Sequence, residues 1–144
     1  MPQMNADTHN YRVVAAAFVL SAFVCVHLRL IIRIMTLFEK IIARQIPARI
    51  EFEDERYIVI HDIQPQAPVH VLVIPKKVIP TLNDVTDADR ELIGGMFVAA
   101  ARVMRSLGHS DYRTVFNCGA GAQQTVFHLH LHCLAGRALS WPPG

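Results

Sequence analysis

Residues 127–134 read Phe-His-Leu-His-Leu-His-Cys-Leu, so His128, His130 and His132 alternate with Leu129 and Leu131. A strand has a side-chain period of two. One extended segment would therefore aim all three imidazoles at one face, while Phe127, Leu129, Leu131 and Cys133 cover the other. On a helix the same rings would splay around the axis. The pattern asks for a strand with one apolar face and one face on which the histidines act together.

The rest of the chain supplies partners for that strand. Thr36 and Glu39 form a T-x-x-E capping box that starts a short helix, with Leu37, Phe38, Ile41 and Ile42 on one side. Pro47 is expected to end it near Ile46, because the residue before a proline disfavours the helical region. Residues 48–53 and 56–62 alternate around the acidic Glu53-Asp54-Glu55 and read as a hairpin. Residues 69–74 are almost wholly apolar and strand-like, which predicts a central strand. Thr86 and Asp89 open a long helix in which Leu92, Ile93, Met96, Phe97, Ala100, Val103, Met104 and Leu107 recur at helical spacing before Gly108. Gly94-Gly95 within it reads as close packing on the sheet. Residues 112–118 form a further strand, residues 119–123 a loop, and the ending Ser140-Trp141-Pro142-Pro143-Gly144 is too proline-rich for a helix or central strand.

With 144 residues, of which 52% are hydrophobic, the chain suits one globular domain with a core of its own. Arg12, Arg29 and Arg33 stand against Asp7 before Thr36, and the remainder is balanced. A neutral body offers no basic field for phosphate neutralisation, so nucleic acid is not an expected partner. Cys25, Cys118 and Cys133 are odd in number and form no C-x-x-C pair, which fits a reducing compartment and a cytoplasmic body. Residues 1–35 are set apart as an apolar extension from the domain at 36–144. Between Val13 and Val26 only Ser21 is polar, a run shorter than the ~20 residues of a spanning helix unless Arg29 and Arg33 snorkel. Three readings stand: translation from Met35 with the extension outside the working protein, an anchor that holds the domain in the cytoplasm, and a cleaved leader. Membrane contact is expected only through residues 13–34.

The clustered histidines have two chemistries open to them. Three neutral imidazoles suit zinc with one open position. They equally suit phosphate, one ring attacking phosphorus and another handling the proton of the leaving group. The preceding run Asn117-Cys118-Gly119-Ala120-Gly121-Ala122-Gln123-Gln124-Thr125 is rich in small residues, so its backbone N–H groups, with Gln124 and the Thr125 hydroxyl, would cradle an oxyanion. That favours phosphate, and zinc stays open. His9, His27 and His109 sit in no cluster and read as structural.

These residues resemble the histidine triad family. The heptad His128-Leu129-His130-Leu131-His132-Cys133-Leu134 matches its pattern, supported by His61-Asp62-Ile63, Pro65-Gln66-Ala67-Pro68-Val69-His70, Leu72-Val73-Ile74-Pro75-Lys76-Lys77 and Trp141-Pro142-Pro143-Gly144. The likeness is to the purine nucleoside phosphoramidase branch and covers nearly all of residues 36–144. It implies an α+β fold with a five-stranded antiparallel sheet, one short and one long helix, and a homodimer with a ten-stranded sheet. It also implies hydrolysis of the P–N bond of purine nucleoside 5'-phosphoramidates through a nucleotidyl-histidine, with no cofactor and no metal. By the resemblance His130 is the nucleophile, with His128, His132 and His70 completing the relay. Asn117, Gln124 and Thr125 fall at phosphate contacts, and Phe38, Ile50, Ile60, His61, Asp62, Ile63 and Leu72 at the base and ribose pocket. Gln123 departs from the family's usual glycine; if that position has positive φ, glutamine costs about 1 kcal/mol there. A nucleotide sensor with little turnover, or a zinc protein, are the alternatives to the enzyme.

Overall fold

A computed structural model describes residues 34–143. The three readings of the apolar extension, together with His9, His27 and Cys25, lie outside the described residues. By internal contacts the chain divides at Ile34/Met35, and all the described helices and strands belong to the second unit.

Helix α1 (Leu37–Ile42) starts at the expected capping box: the Thr36 hydroxyl accepts from Glu39 N–H at 3.2 Å, and Glu39 Oε2 accepts from Thr36 N–H at 2.8 Å. It stops well before Pro47. Arg44 takes φ 61°, Gln45 N–H reaches back to Lys40 C=O at 2.8 Å and Arg44 N–H to Ile41 C=O at 3.0 Å, a Schellman ending that closes the helix from within. An arginine in this conformation is strained, and its guanidinium is tied to Glu53 on β1. The long helix α2 (Arg90–Ser106) ends on the same motif with glycine in the left-handed place: Gly108 has φ 81° and His109 N–H meets Met104 C=O at 2.9 Å.

Strands β1 (Ile50–Glu53) and β2 (Tyr57–His61) form the expected hairpin, its turn fixed by Asp54 Oδ1 accepting from Arg56 and Tyr57 N–H at 2.8 and 2.7 Å. With β3 (Val69–Pro75), β4 (Tyr112–Val115) and β5 (Leu131–Ala135) they make one five-stranded antiparallel sheet in the order β1-β2-β3-β5-β4. The apolar β3 is central, as its composition requires. Two short 3-10 turns, Leu82–Asp84 and Asp87–Asp89, lead into α2.

The triad segment is strand for only part of its length. Pairing starts at Leu131; before it, His128 N–H bonds Val126 C=O at 2.9 Å and Leu129 N–H bonds Ile79 C=O at 2.7 Å, so His128 and His130 approach the sheet as irregular backbone. This also shortens β4. Val115 pairs with His132, and residues 117–118, whose register falls before Leu131, meet no ladder because β5 has not yet begun there. The alternation survives nonetheless. Leu129, Leu131, Cys133 and Ala135 enter one core with Met96, Ala99, Ala100, Val103 and Met104 of α2, whereas Phe38 and Ile41 of α1 pack on the other face with Ile58, Ile60, Leu72 and Ile74. Phe127 does not follow the expected alternation and is 49% exposed. Of the glycine pair in α2, only Gly95 answers to close packing: a Cβ there would stand 2.1 Å from the Tyr57 hydroxyl, which donates to Leu92 C=O at 2.8 Å, while Gly94 faces open space.

Candidate active site

Four histidines converge on the α1 face of the sheet. His132 on β5 stands opposite Leu72 and His70 on β3 opposite Leu134, so these two rings form a diagonal cross-strand pair with centroids 5.2 Å apart. His130 lies 4.9 Å from His132, and Phe38 of α1 meets His130 and His128 edge-on at 5.0 and 5.9 Å.

Backbone partners with a single hydrogen-bonding role fix where each ring carries its proton. The His128 carbonyl can only accept, and it lies 2.7 Å from His130 Nδ1. His130 is therefore protonated at Nδ1 and keeps the Nε2 lone pair. Gln66 N–H can only donate, to His70 Nδ1 at 3.1 Å, which puts the His70 proton on Nε2. That proton is directed at His132 Nδ1, 2.9 Å away, with the Asp62 carboxylate 3.5 Å from the same His70 nitrogen. His132 must then carry its proton on Nε2, a buried atom that lacks a hydrogen-bond partner among the described residues. The site thus presents a lone pair on one imidazole and an N–H on its neighbour.

Burial shapes the acid–base behaviour. His132 is held down to about 4, first by desolvation, then by the neighbouring His130 and His70, against the opposing pull of Asp62. Desolvation lowers His70 and His130 too; the Asp62 charge opposes it at His70, and the bond to the His128 carbonyl with the same charge opposes it at His130. At neutral pH the three rings are free bases. Cys133, beneath them in the α2 core, is pushed up to about 12 by burial and has no nucleophilic role.

The remaining expected residues divide. Phe38, Ile60 and Leu72 are buried together and make an apolar floor, but Ile50 is 37% and Ile63 89% exposed, so these two wall off nothing in the present conformation. His61 is paired with Glu51 at 2.9 Å, a partner that no sequence pattern announced. Asp62 lies beside His70 and also accepts from Gln64 N–H at 2.8 Å. In the loop, Asn117 is half-buried and Thr125 exposed. Gln124 differs from expectation: it is 3% exposed, its amide hydrogens reach Pro80 and Val126 carbonyls at 2.7 and 3.2 Å, and its Oε1 accepts from Gly119 N–H at 2.8 Å. It braces the loop and presents no donor to the site. Gln123 does hold the left-handed conformation, at φ 67°. Asp62, His70 and His132 also bring one donor atom each within 4.8 Å of one another, a set able to hold a metal ion.

The family model described as scavenger mRNA decapping enzyme C-term binding matches residues 35–140. An uncharacterised HIT-like protein from Synechocystis is 53% identical over 110 residues, spanning 76% of this chain and 96% of its own. The chain belongs to the histidine triad family. Among solved structures, a HIT family hydrolase from Legionella pneumophila is 47% identical with a TM-score of 0.75, covering 76% of this chain and all 100% of that one. A zinc-bound histidine triad family protein from Mycobacterium smegmatis is 35% identical with a TM-score of 0.63, covering 73% and 79% of the two chains. These likenesses support a hydrolase-type enzyme on a nucleotide-binding fold. Three elements of the site were not read from sequence: Glu51, the Gln66 amide and the bond from Thr36 to His128. Only Thr36 carried a signal, and that signal spoke of a helix cap.

Proposed function

We propose that the protein hydrolyses purine nucleoside 5'-phosphoramidates through a nucleotidyl-histidine formed on His130. The observation that carries this reading is the opposed pair of nitrogens: a lone pair at His130 Nε2 and an unpartnered N–H at His132 Nε2. The bound phosphate supplies negative charge beside His132, which favours its imidazolium, so substrate arrives with a proton taken up by the His70–His132 pair. His70 passes its Nε2 proton to His132 Nδ1 and takes the incoming proton at its own Nδ1, where Gln66 N–H gives way. His130 Nε2 attacks phosphorus, the P–N bond breaks, and His132 passes its proton to the departing amine. Water then attacks the phosphorus, giving a proton back to His132, and His130 leaves with the electron pair of its P–N bond. Nucleoside monophosphate and amine are the products. Phe38, Ile60 and Leu72 would take the apolar face of the base, and Asp62 is chemically apt to hold ribose hydroxyls.

The protein and its His130→Ala variant, incubated with an adenosine phosphoramidate and quenched early, test this. Nucleotide on histidine in the wild type alone supports the enzyme; tight binding with neither adduct nor release would leave a nucleotide sensor. A second reading rests on the Asp62, His70 and His132 donors: zinc held there. Stoichiometric zinc that disappears in His132→Ala and blocks adduct formation would support it.

Residues 36–144 are proposed to form a homodimer through α2 and the edge strand β4. Phe97 and Val98 on α2 are 45% and 63% exposed, and Phe116, just past β4, meets Phe97 at 5.9 Å. We propose a cytoplasmic domain on the ground of the odd number of cysteines and their lack of a C-x-x-C pair. Among the described residues no helix is long and apolar enough to cross a membrane.

A further inference from the structure

We propose that Thr36 is a positioning residue for the nucleophile, the link by which α1 holds His128 and, through it, His130. The inference rests on the reading that His130 attacks phosphorus. The Thr36 hydroxyl is used twice: its oxygen accepts from Glu39 N–H at 3.2 Å and its proton is directed at His128 Nδ1, 3.1 Å away and 92 residues on in sequence. The Pro75 carbonyl, 2.8 Å from His128 Nε2, can only accept, so His128 carries its proton there and Nδ1 must be an acceptor. Thr36 is the donor that fits it. His128, with 0% exposure, is thereby held at both ring nitrogens, by the last residue of β3 on one side and the cap of α1 on the other.

Fixing that ring fixes more than the ring. The carbonyl of His128 receives the Nδ1 proton of His130 at 2.7 Å and sets the direction in which His130 Nε2 points. His128 N–H is tied to Val126, so the segment is irregular backbone with no ladder to hold it, and a side-chain anchor takes the place of strand pairing. Phe38, two residues beyond Thr36, lies edge-on to both rings. A six-residue helix does not persist alone in water, so α1 keeps its place through Phe38, Ile41 and this bond. The arrangement couples the residue that meets the base to the residue that aims the nucleophile.

Two substitutions in the full chain separate the cap from the positioning bond. Serine keeps both roles of the hydroxyl, whereas glycine caps a helix about as well as threonine but has no donor for His128. Thr36→Ser is expected to form the histidine adduct within about two-fold of the wild-type rate, and Thr36→Gly to lose roughly 10- to 100-fold in that rate with KM moved less than about three-fold. Nitrogen-15 NMR of the imidazoles should show His128 protonated at Nε2 in wild type and Ser, and that signal disturbed in Gly. Wild-type adduct formation by Thr36→Gly, an equal loss in Thr36→Ser, or a loss confined to KM would overturn the proposal. If wild type itself forms no adduct, the phosphoramidase reading fails separately. The NMR then decides: an Nδ1–H tautomer of His128 in wild type overturns the Thr36 bond, and an Nε2–H tautomer disturbed in Thr36→Gly upholds it.

Discussion

The two faces of the sheet are built from one alternating pattern and do different work. On the α2 face, Leu129, Leu131 and Cys133 interlock with Met96, Val103 and Met104, and Gly95 lets Tyr57 approach the helix backbone. On the α1 face the same segment spends its alternate positions on imidazoles, covered by a helix of six residues. The α2 face stabilises through area and close packing. The α1 face gives up apolar burial for desolvated polar groups, each of which needs a partner. Stability and chemistry are thereby separated by one residue of register.

The sharpest way to break that comparison is at His130. His130→Ala should lower turnover by about 10⁴-fold or more and abolish the quenched adduct, while shifting the unfolding midpoint less than a core change does. Retained adduct would place the nucleophile elsewhere. Across the sheet, Met104→Ala, at a side chain with 0% exposure, should cost about 2–5 kcal/mol in denaturant unfolding, with an unchanged adduct rate per folded molecule. A matching loss of chemistry would show that the faces are coupled.

Acid should separate the faces by pH window. Because His132 is held down to about 4, and burial also lowers His70 and His130, the unfolded chain takes up protons near its ordinary 6.5 while the folded site stays neutral. The site's contribution is fully present above pH 6.5 and is lost as pH falls towards about 4. Unfolding free energy measured across that window should fall in wild type and Met104→Ala alike, and fall less in His132→Gln; equal slopes in all three would refute the assignment. Asp89, at the start of α2, acts lower. Its bond to Lys77, then its bonds to Thr86, hold it down to about 2, so its contribution is lost only as pH drops below the ordinary 3.8 through about 2. The smallest effect belongs to the loop beside the histidines: Gln123→Gly should stabilise by about 1 kcal/mol, since glutamine now bears φ 67°. A change in turnover as well would tie that loop to the phosphate.

Much of this was legible in the chain. The hairpin, the central β3, the capped α1 and the long α2 follow from period, caps and turn residues, all local effects. Where local reasoning failed, a distant partner decided. α1 ends at Ile42 because Arg44 closes a Schellman turn and finds Glu53, a stop made before Pro47 is reached. The triad segment is strand only from Leu131, and β4 is correspondingly short. Gln124 has the right chemistry for a phosphate contact, but the carbonyls of Pro80 and Val126 take its amide.

The alternation of residues 127–134 by itself determined which side chains share a face, because a period of two is a property of extended backbone even where no ladder forms. Tertiary structure alone decided where His128 and His132 carry their protons, whereas the free lone pair of His130 follows from its local bond to the His128 carbonyl. Those protons are set by Pro75, His70 and Thr36, which lie 53, 62 and 92 residues from the rings they bond. A hydrogen bond needs donor and acceptor within about 3 Å, and only folding brings such distant groups that close.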